Sequence, residues 1–257
     1  MQVIKQYLSE MSKRNDDRLY SDPITFLIND HHQFIYLKPG KTAGTSIFVN
    51  YLRPFDNKNI FSNESEKFDK WLKTVNDLHI AKMFKFIVKR NPFDRILSAA
   101  IYFKIKPINF FKYIYKDYKI NFYRKDKNIF DEKGFPLVDK YECFANLLDI
   151  KLDEDFEKYC IQRMSIVSHI VPIYDYVCIN NVIFVNEFLE FENLDKNIIT
   201  ISKRFNIKNK LPHVNKTKHE HYSKYYDSKS IDYISEMYEK DIDLFCYKFM
   251  KKNKARL

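Results

Sequence analysis

Glycine is almost missing from this chain: three residues in 257, beside eight prolines, four cysteines and a single tryptophan. So little glycine and proline, with 45% hydrophobic and 30% charged residues, excludes a disordered chain and reads as a globular protein. The cysteines, Cys143, Cys160, Cys178 and Cys246, show no CxxC pairing. No metal centre is therefore expected, and they read as reduced thiols of the core. Long apolar runs are lacking too. The least charged stretch, Met164 to Asn186, is interrupted by His169, Asp175, Asn180 and Asn181, far short of the roughly 18 apolar residues of a membrane span. Met1 to Asn15 carries Lys5, Glu10, Lys13 and Arg14 where a signal peptide needs an apolar stretch, so a cytoplasmic protein is expected.

What is abundant is positive charge and aromatic rings. An excess of 44 Lys and Arg over 34 Asp and Glu leaves a net charge of +10, which favours anionic ligands without saying which. Nineteen Tyr and 23 Phe accompany it. The stretch Phe110-Phe-Lys-Tyr-Ile-Tyr-Lys-Asp-Tyr-Lys119 reads either as a core helix with solvated lysines or as a surface for acidic glycan or RNA.

Strand and helix signals alternate, which reads as an α/β protein, taken as a single domain over residues 1–257 with the first ~25 peripheral. Phe34-Ile-Tyr-Leu37 is expected to be a buried strand ending at Lys38-Pro39-Gly40, with a helix from Thr45 that Pro54 stops. A second strand is expected at Phe84 to Lys89, then a helix from Pro92 to about Phe103. Further helices are expected over Ile108 to Tyr123, Asp139 to Leu148, Asp153 to Arg163 and Asn193 to Phe205, and one C-terminal helix over Ser228 to Lys251. Val182 to Val185 reads as a third strand, and Lys125 to Lys133 as an exposed loop.

Two of the three glycines fall in Lys38-Pro-Gly-Lys-Thr-Ala-Gly-Thr-Ser46, between the first strand and its helix. In so glycine-poor a chain, Gly40 and Gly44 point to unusual backbone dihedrals or a close ligand approach. Free amides, the Lys41 charge and the hydroxyls of Thr42, Thr45 and Ser46 suit an oxyanion. The nucleoside-triphosphate loop G-x-x-x-x-G-K-[ST] needs a glycine five positions before Gly40, where Ile35 stands, and this weakens a kinase reading.

The second informative stretch, Arg90-Asn-Pro-Phe-Asp-Arg-Ile-Leu-Ser98, follows the second strand directly. Arg90 falls at the strand's carboxyl end, where open α/β sheets bind ligands, and Ser98 eight positions on, about two turns into the helix. An arginine fork and a serine hydroxyl suit a phosphate.

Together the two stretches resemble the paired signature of sulfotransferases that use 3′-phosphoadenosine 5′-phosphosulfate, closest among them the carbohydrate sulfotransferases of the heparan-sulfate 2-O type. The resemblance extends more weakly to Ser168-His-Ile-Val-Pro172, Glu190-Phe-Glu-Asn-Leu194 and Leu211-Pro-His-Val-Asn-Lys-Thr217. It implies a P-loop-like three-layer fold with a central, mainly parallel sheet flanked by helices. It assigns Lys41, Thr42, Ala43, Gly44, Thr45 and Ser46 to the 5′-phosphosulfate, Arg90 and Ser98 to the 3′-phosphate, and a donor-side role to Asn215 and Lys216. His169 and His213 are read as structural or loop residues.

The activity implied is transfer of a sulfuryl group to a saccharide or glycan hydroxyl, without metal, Lys41 neutralising the departing oxygen. The acceptor needs a base to remove its proton. Related glycan sulfotransferases use a histidine between the two stretches and some use a glutamate, so the resemblance implies His79, the only histidine there, as the base, with Glu64 and Glu66 in reserve. A small-molecule kinase and a basic nucleic-acid-binding protein are the alternatives; the scattered basic residues form no recognised nucleic-acid module, and no nucleic-acid partner is expected.

Overall fold

A computed structural model describes residues 3–12, 26–56, 58–62, 65–120, 129–131, 135–209, 211 and 219–251. In chain order the elements are α1 (Val3–Ser12), β1 (Phe26–Asn29), β2 (Phe34–Leu37), α2 (Gly44–Ile47), α3 (Arg53–Phe55), β3 (Ile60–Ser62), α4 (Glu66–Thr74), α5 (Asp77–Lys82) and β4 (Phe84–Lys89). Next come α6 (Pro92–Tyr102), α7 (Pro107–Lys119), α8 (Tyr141–Leu147), α9 (Glu154–Ile170) and α10 (Ile173–Val177). They are followed by β5 (Cys178–Ile179), β6 (Val182–Ile183), β7 (Glu187–Glu190), α11 (Leu194–Phe205), α12 (Ser228–Met237) and α13 (Glu239–Phe245). Two compact units divide the chain: Met1–Lys13, Pro23–Arg90 and Ile173–Lys216 form the first, and Arg14–Asp22, Asn91–Pro172 and Thr217–Leu257 the second.

The first unit is built on a five-stranded sheet in the order β3-β1-β2-β4-β7. β2 pairs in parallel with β4, and β4 with β7, whereas β1 runs antiparallel to both β2 and β3. The sheet is thus mixed rather than mainly parallel. The reason is local: β1 returns into β2 through the short turn Asp30 to Gln33, where Gln33 takes a positive φ of 57°, and so short a connection joins only antiparallel strands. Helices flank the sheet. On one face Phe34, Tyr36, Phe86 and Val88 share a core with Ile47, Tyr51 and Leu52 after the first loop and with Leu194, Ile198 and Ile201 of α11. On the other, Phe26 meets Phe68 of α4 edge to face.

Several expectations need correcting. Helical backbone does not stop at Pro54: a π-helical turn, Phe48–Leu52, leads into α3, where Pro54 sits in the first turn. The Arg53 amide reaches the Phe48 carbonyl five residues back, a wider coil that spares proline the usual i−4 clash. Val182 and Ile183 form β6 of a small hairpin with β5, while the sheet's third parallel strand is β7. Its sequence Glu-Phe-Leu-Glu hid it, and an edge strand tolerates such charges. α1, within the stretch expected to be peripheral, is docked: Leu8 is buried and Lys5 Nζ donates to the Val75 carbonyl at 2.6 Å.

The second unit is helical, with an aromatic core. Phe110, Phe111, Tyr113 and Ile114 of α7 are buried together with Phe144, Phe156 and Tyr159, so the aromatic stretch is mainly core rather than a nucleic-acid surface. At its centre Asp117 accepts two bonds from Arg163, at 2.6 and 2.9 Å, and one from Tyr159 at 2.7 Å. The long C-terminal helix is divided at Tyr238 into α12 and α13 and ends at Cys246, which is left-handed at φ 54°. All four cysteines are free, but only Cys160 is a core thiol; Cys143 and Cys246 are exposed. The expected loop Lys125 to Lys133 lies mostly outside the described residues. Among the described residues no helix is long and apolar enough to cross a membrane.

Candidate functional site

β2 and β4 lie side by side in parallel, Leu37 opposite Ile87, so Lys38 and the residues after it leave the sheet at the edge where Arg90 follows β4. The two sequence stretches meet there. Arg90, 6% exposed, donates from Nη1 to the Lys41 carbonyl at 2.8 Å. Its guanidinium lies 4.0 Å from the centre of the Phe191 ring, a cation–π support that fixes its plane. Phe191 stands directly after β7. Within Glu190 to Leu194, to which the resemblance extends more weakly, it is the Phe191 ring that supports the site, while Glu190 pairs with Lys89 at 3.3 Å.

The loop's backbone is unusual at two residues that are not glycine. Lys41 and Ala43 take the left-handed region, each at φ 63°. Ala43, left-handed at ψ 21°, precedes right-handed Gly44 at the start of α2 with no side chain capping the helix. Alternating hands turn successive amides toward one point, the concavity known as an anion nest. Thr42 is fully buried and its hydroxyl donates to the Pro39 carbonyl at 2.8 Å. That hydroxyl therefore braces the loop, leaving Thr42 only its amide for a ligand. Ser46 is buried at 6% and Thr45 is exposed. The Lys41 ammonium has its pKa pushed down to about 8, chiefly by burial and then by the Arg90 charge. Cations crowded in this way are relieved by an anion.

Ser98 lies in α6 of the second unit and is buried. Asn91 caps α6, its Oδ1 accepting from the Phe93 amide at 3.0 Å, and Pro92 takes the first turn. Arg95, equally prominent in the same stretch, is structural. It is buried and donates from Nη2 to the carbonyls of His169 and Val171, at 3.1 and 2.7 Å, tying down the end of α9. His169 accordingly belongs to packing, stacked on Tyr102 with ring centres 5.5 Å apart.

The structure does not bring His79 to this loop. His79 Nε2 lies 2.7 Å from Asp30 Oδ1, which also accepts from Trp71 Nε1 at 2.9 Å. Asp30 is in the β1–β2 turn with His31 and His32, at the amino end of β2, and α5 carries His79 just ahead of the amino end of β4. From Gln33 to Lys38 the strand rises about 16 Å, so His79 and Lys41 occupy opposite edges. Glu66 is on the Lys41 edge. Ser62 pairs with Leu27, which pairs with Tyr36, so β3 ends beside the carboxyl end of β2 and Glu66 opens α4, exposed. Glu64, His213, Asn215 and Lys216 lie outside the described residues.

No curated protein and no solved structure matches this chain. A family model described as the sulfotransferase family matches residues 25–248, well over half of its length. That span includes the strand that opens the sheet, the loop with its two left-handed residues and the arginine that grips it, and the chain belongs to the sulfotransferase family.

Proposed function

We propose that this protein transfers a sulfuryl group from 3′-phosphoadenosine 5′-phosphosulfate to a hydroxyl of a saccharide acceptor, in the manner of carbohydrate sulfotransferases. The observation that supports it most is the bond from Arg90 to the Lys41 carbonyl, which unites both halves of the sequence signature on one sheet edge. On this reading the first unit is P-loop-like, and the whole chain serves as one cytoplasmic sulfotransferase domain.

The amides of the Ala43–Gly44 nest and the hydroxyls of Thr45 and Ser46 would hold the 5′-phosphate. Arg90, set in plane by Phe191, would take the 3′-phosphate, with Ser98, Asn215 and Lys216 as donor-side partners. The acceptor oxygen loses its proton to a base and bonds to sulfur, while the bond from sulfur to the phosphate oxygen breaks. Lys41 stabilises that step, because negative charge grows on the departing oxygen beside it. The place of Glu66, on the same edge as Lys41, supports it over His79 as the base, and Glu64 is the other candidate the sequence offers.

Thermal unfolding with 3′,5′-adenosine bisphosphate and, separately, ATP tests the donor. Bisphosphate at 100 times its dissociation constant adds about 2.7 kcal/mol, which raises Tm by roughly 5 to 11 °C for a chain of this size. A shift with ATP and none with the bisphosphate would refute the proposal.

A further inference from the structure

Gly44 poses a question that the nest does not answer. Its backbone is ordinary helix, the first residue of α2, whereas Lys41 and Ala43 before it are left-handed. Glycine is therefore not required there by conformation. It is required by space, and what fills that space is not a ligand. A Cβ on Gly44 would stand 2.7 Å from Lys38 Cγ, 3.0 Å from Cε and 3.3 Å from Cδ. Three methylenes of one side chain lie within contact of a single point, so the Lys38 stem runs flat across the bare face of Gly44. One further C–N bond of about 1.5 Å carries the ammonium, which leaves it over the loop that holds Lys41.

Among the described residues Lys38 has neither an ion-pair nor a hydrogen-bond partner. Ordering so long a side chain costs rotamer entropy, and packing its stem recovers part of that cost. The charge at its end adds to a loop where the Lys41 pKa is already lowered, chiefly by burial and then by Arg90. A further lysine packed on the loop that holds these two cations suits a ligand with several negative charges.

We infer that Lys38 is a further donor-binding residue, one that meets the phosphosulfate oxyanions from above the loop, and that Gly44 is a positioning residue acting through it. The inference rests on the donor assignment proposed above. It separates two meanings of Gly44: room for the ligand, or room for a lysine that holds the ligand.

Titration calorimetry with 3′,5′-adenosine bisphosphate on the full chain decides between them. Lys38→Met keeps the stem and removes the charge, and should weaken binding at least about tenfold, the low end for a charge-assisted contact. Lys38→Arg should stay close to wild type. Gly44→Ala should also cost about tenfold by displacing the stem, and should cost almost nothing further in a Lys38→Ala background. Wild-type affinity in Lys38→Met overturns the inference, and so do losses from Gly44→Ala and Lys38→Ala that multiply in the double variant. Should Gly44→Ala not fold, the Met and Arg variants still decide. A wild-type chain that ignores the bisphosphate overturns the donor assignment itself, a result distinct from either.

Discussion

The lowered pKa of Lys41 makes bisphosphate binding depend on pH in a window where an ordinary lysine would show nothing. The ammonium falls from an ordinary 10.5 to about 8 because burial penalises its charge and Arg90 repels it. A bound dianion favours the charged form, so binding takes up a proton and affinity is lost as pH rises through 8. With a pKa of 8, roughly nine-tenths of the free chain is protonated at pH 7 and roughly one-tenth at pH 9, a fall of about tenfold in affinity or about 1.4 kcal/mol. At pH 8 about half a proton should be taken up per ligand bound. The ligand's own second phosphate ionisation lies near pH 6, below the window. Titration calorimetry at pH 7, 8 and 9 in two buffers of different ionisation enthalpy measures both quantities. Lys41→Arg is the control: its guanidinium does not titrate, so the decline should vanish even if affinity is lower throughout. Lys85 also has a pKa near 8, by burial alone, but its ammonium is held by the carbonyls of Ala81 and Met83 at the other end of β4. It remains in the control. A flat profile between pH 7 and 9, or a decline that survives in Lys41→Arg, refutes the reasoning.

Arg90→Ala should weaken bisphosphate binding by about 1.5 to 3 kcal/mol, and adenosine 5′-phosphosulfate, which lacks the 3′-phosphate, far less; equal losses in calorimetry would remove Arg90 from that phosphate. His79→Ala should leave turnover and bisphosphate affinity near wild type, since its partner Asp30 belongs to the β1–β2 turn, whereas Glu66→Gln should lower turnover. Loss of turnover in His79→Ala, with the acidic limb of the rate–pH profile gone, would restore histidine as the base. Tyr36→Phe should hold stability or raise it by up to ~1 kcal/mol, because the fully buried Tyr36 hydroxyl has no partner among the described residues. A loss above ~1 kcal/mol in urea denaturation would reveal a bond there.

Local chemistry determined much of this protein. Phe34 to Leu37 and Phe84 to Lys89 are strands where their apolar runs placed them, because central parallel strands are covered on both faces and show it in every residue. Asn91-Pro92 opens α6 by capping chemistry contained in the dipeptide itself. Lys41 and Arg90 were legible as a pair because the loop that carries Lys41 and Arg90 itself follow strands that end on the same edge. Only tertiary structure decided the rest. β7 hid between glutamates because edge position, not its own pattern, permits them. Gly44 read as a need for unusual dihedrals or for close approach of a ligand, and the space beside it holds Lys38, a contact between side chain and backbone that no spacing rule encodes. His79 stands between the two stretches in sequence and at the opposite edge of the sheet in space. One strand's length, about 16 Å, separates it from Lys41, a distance that only the direction of the strands reveals.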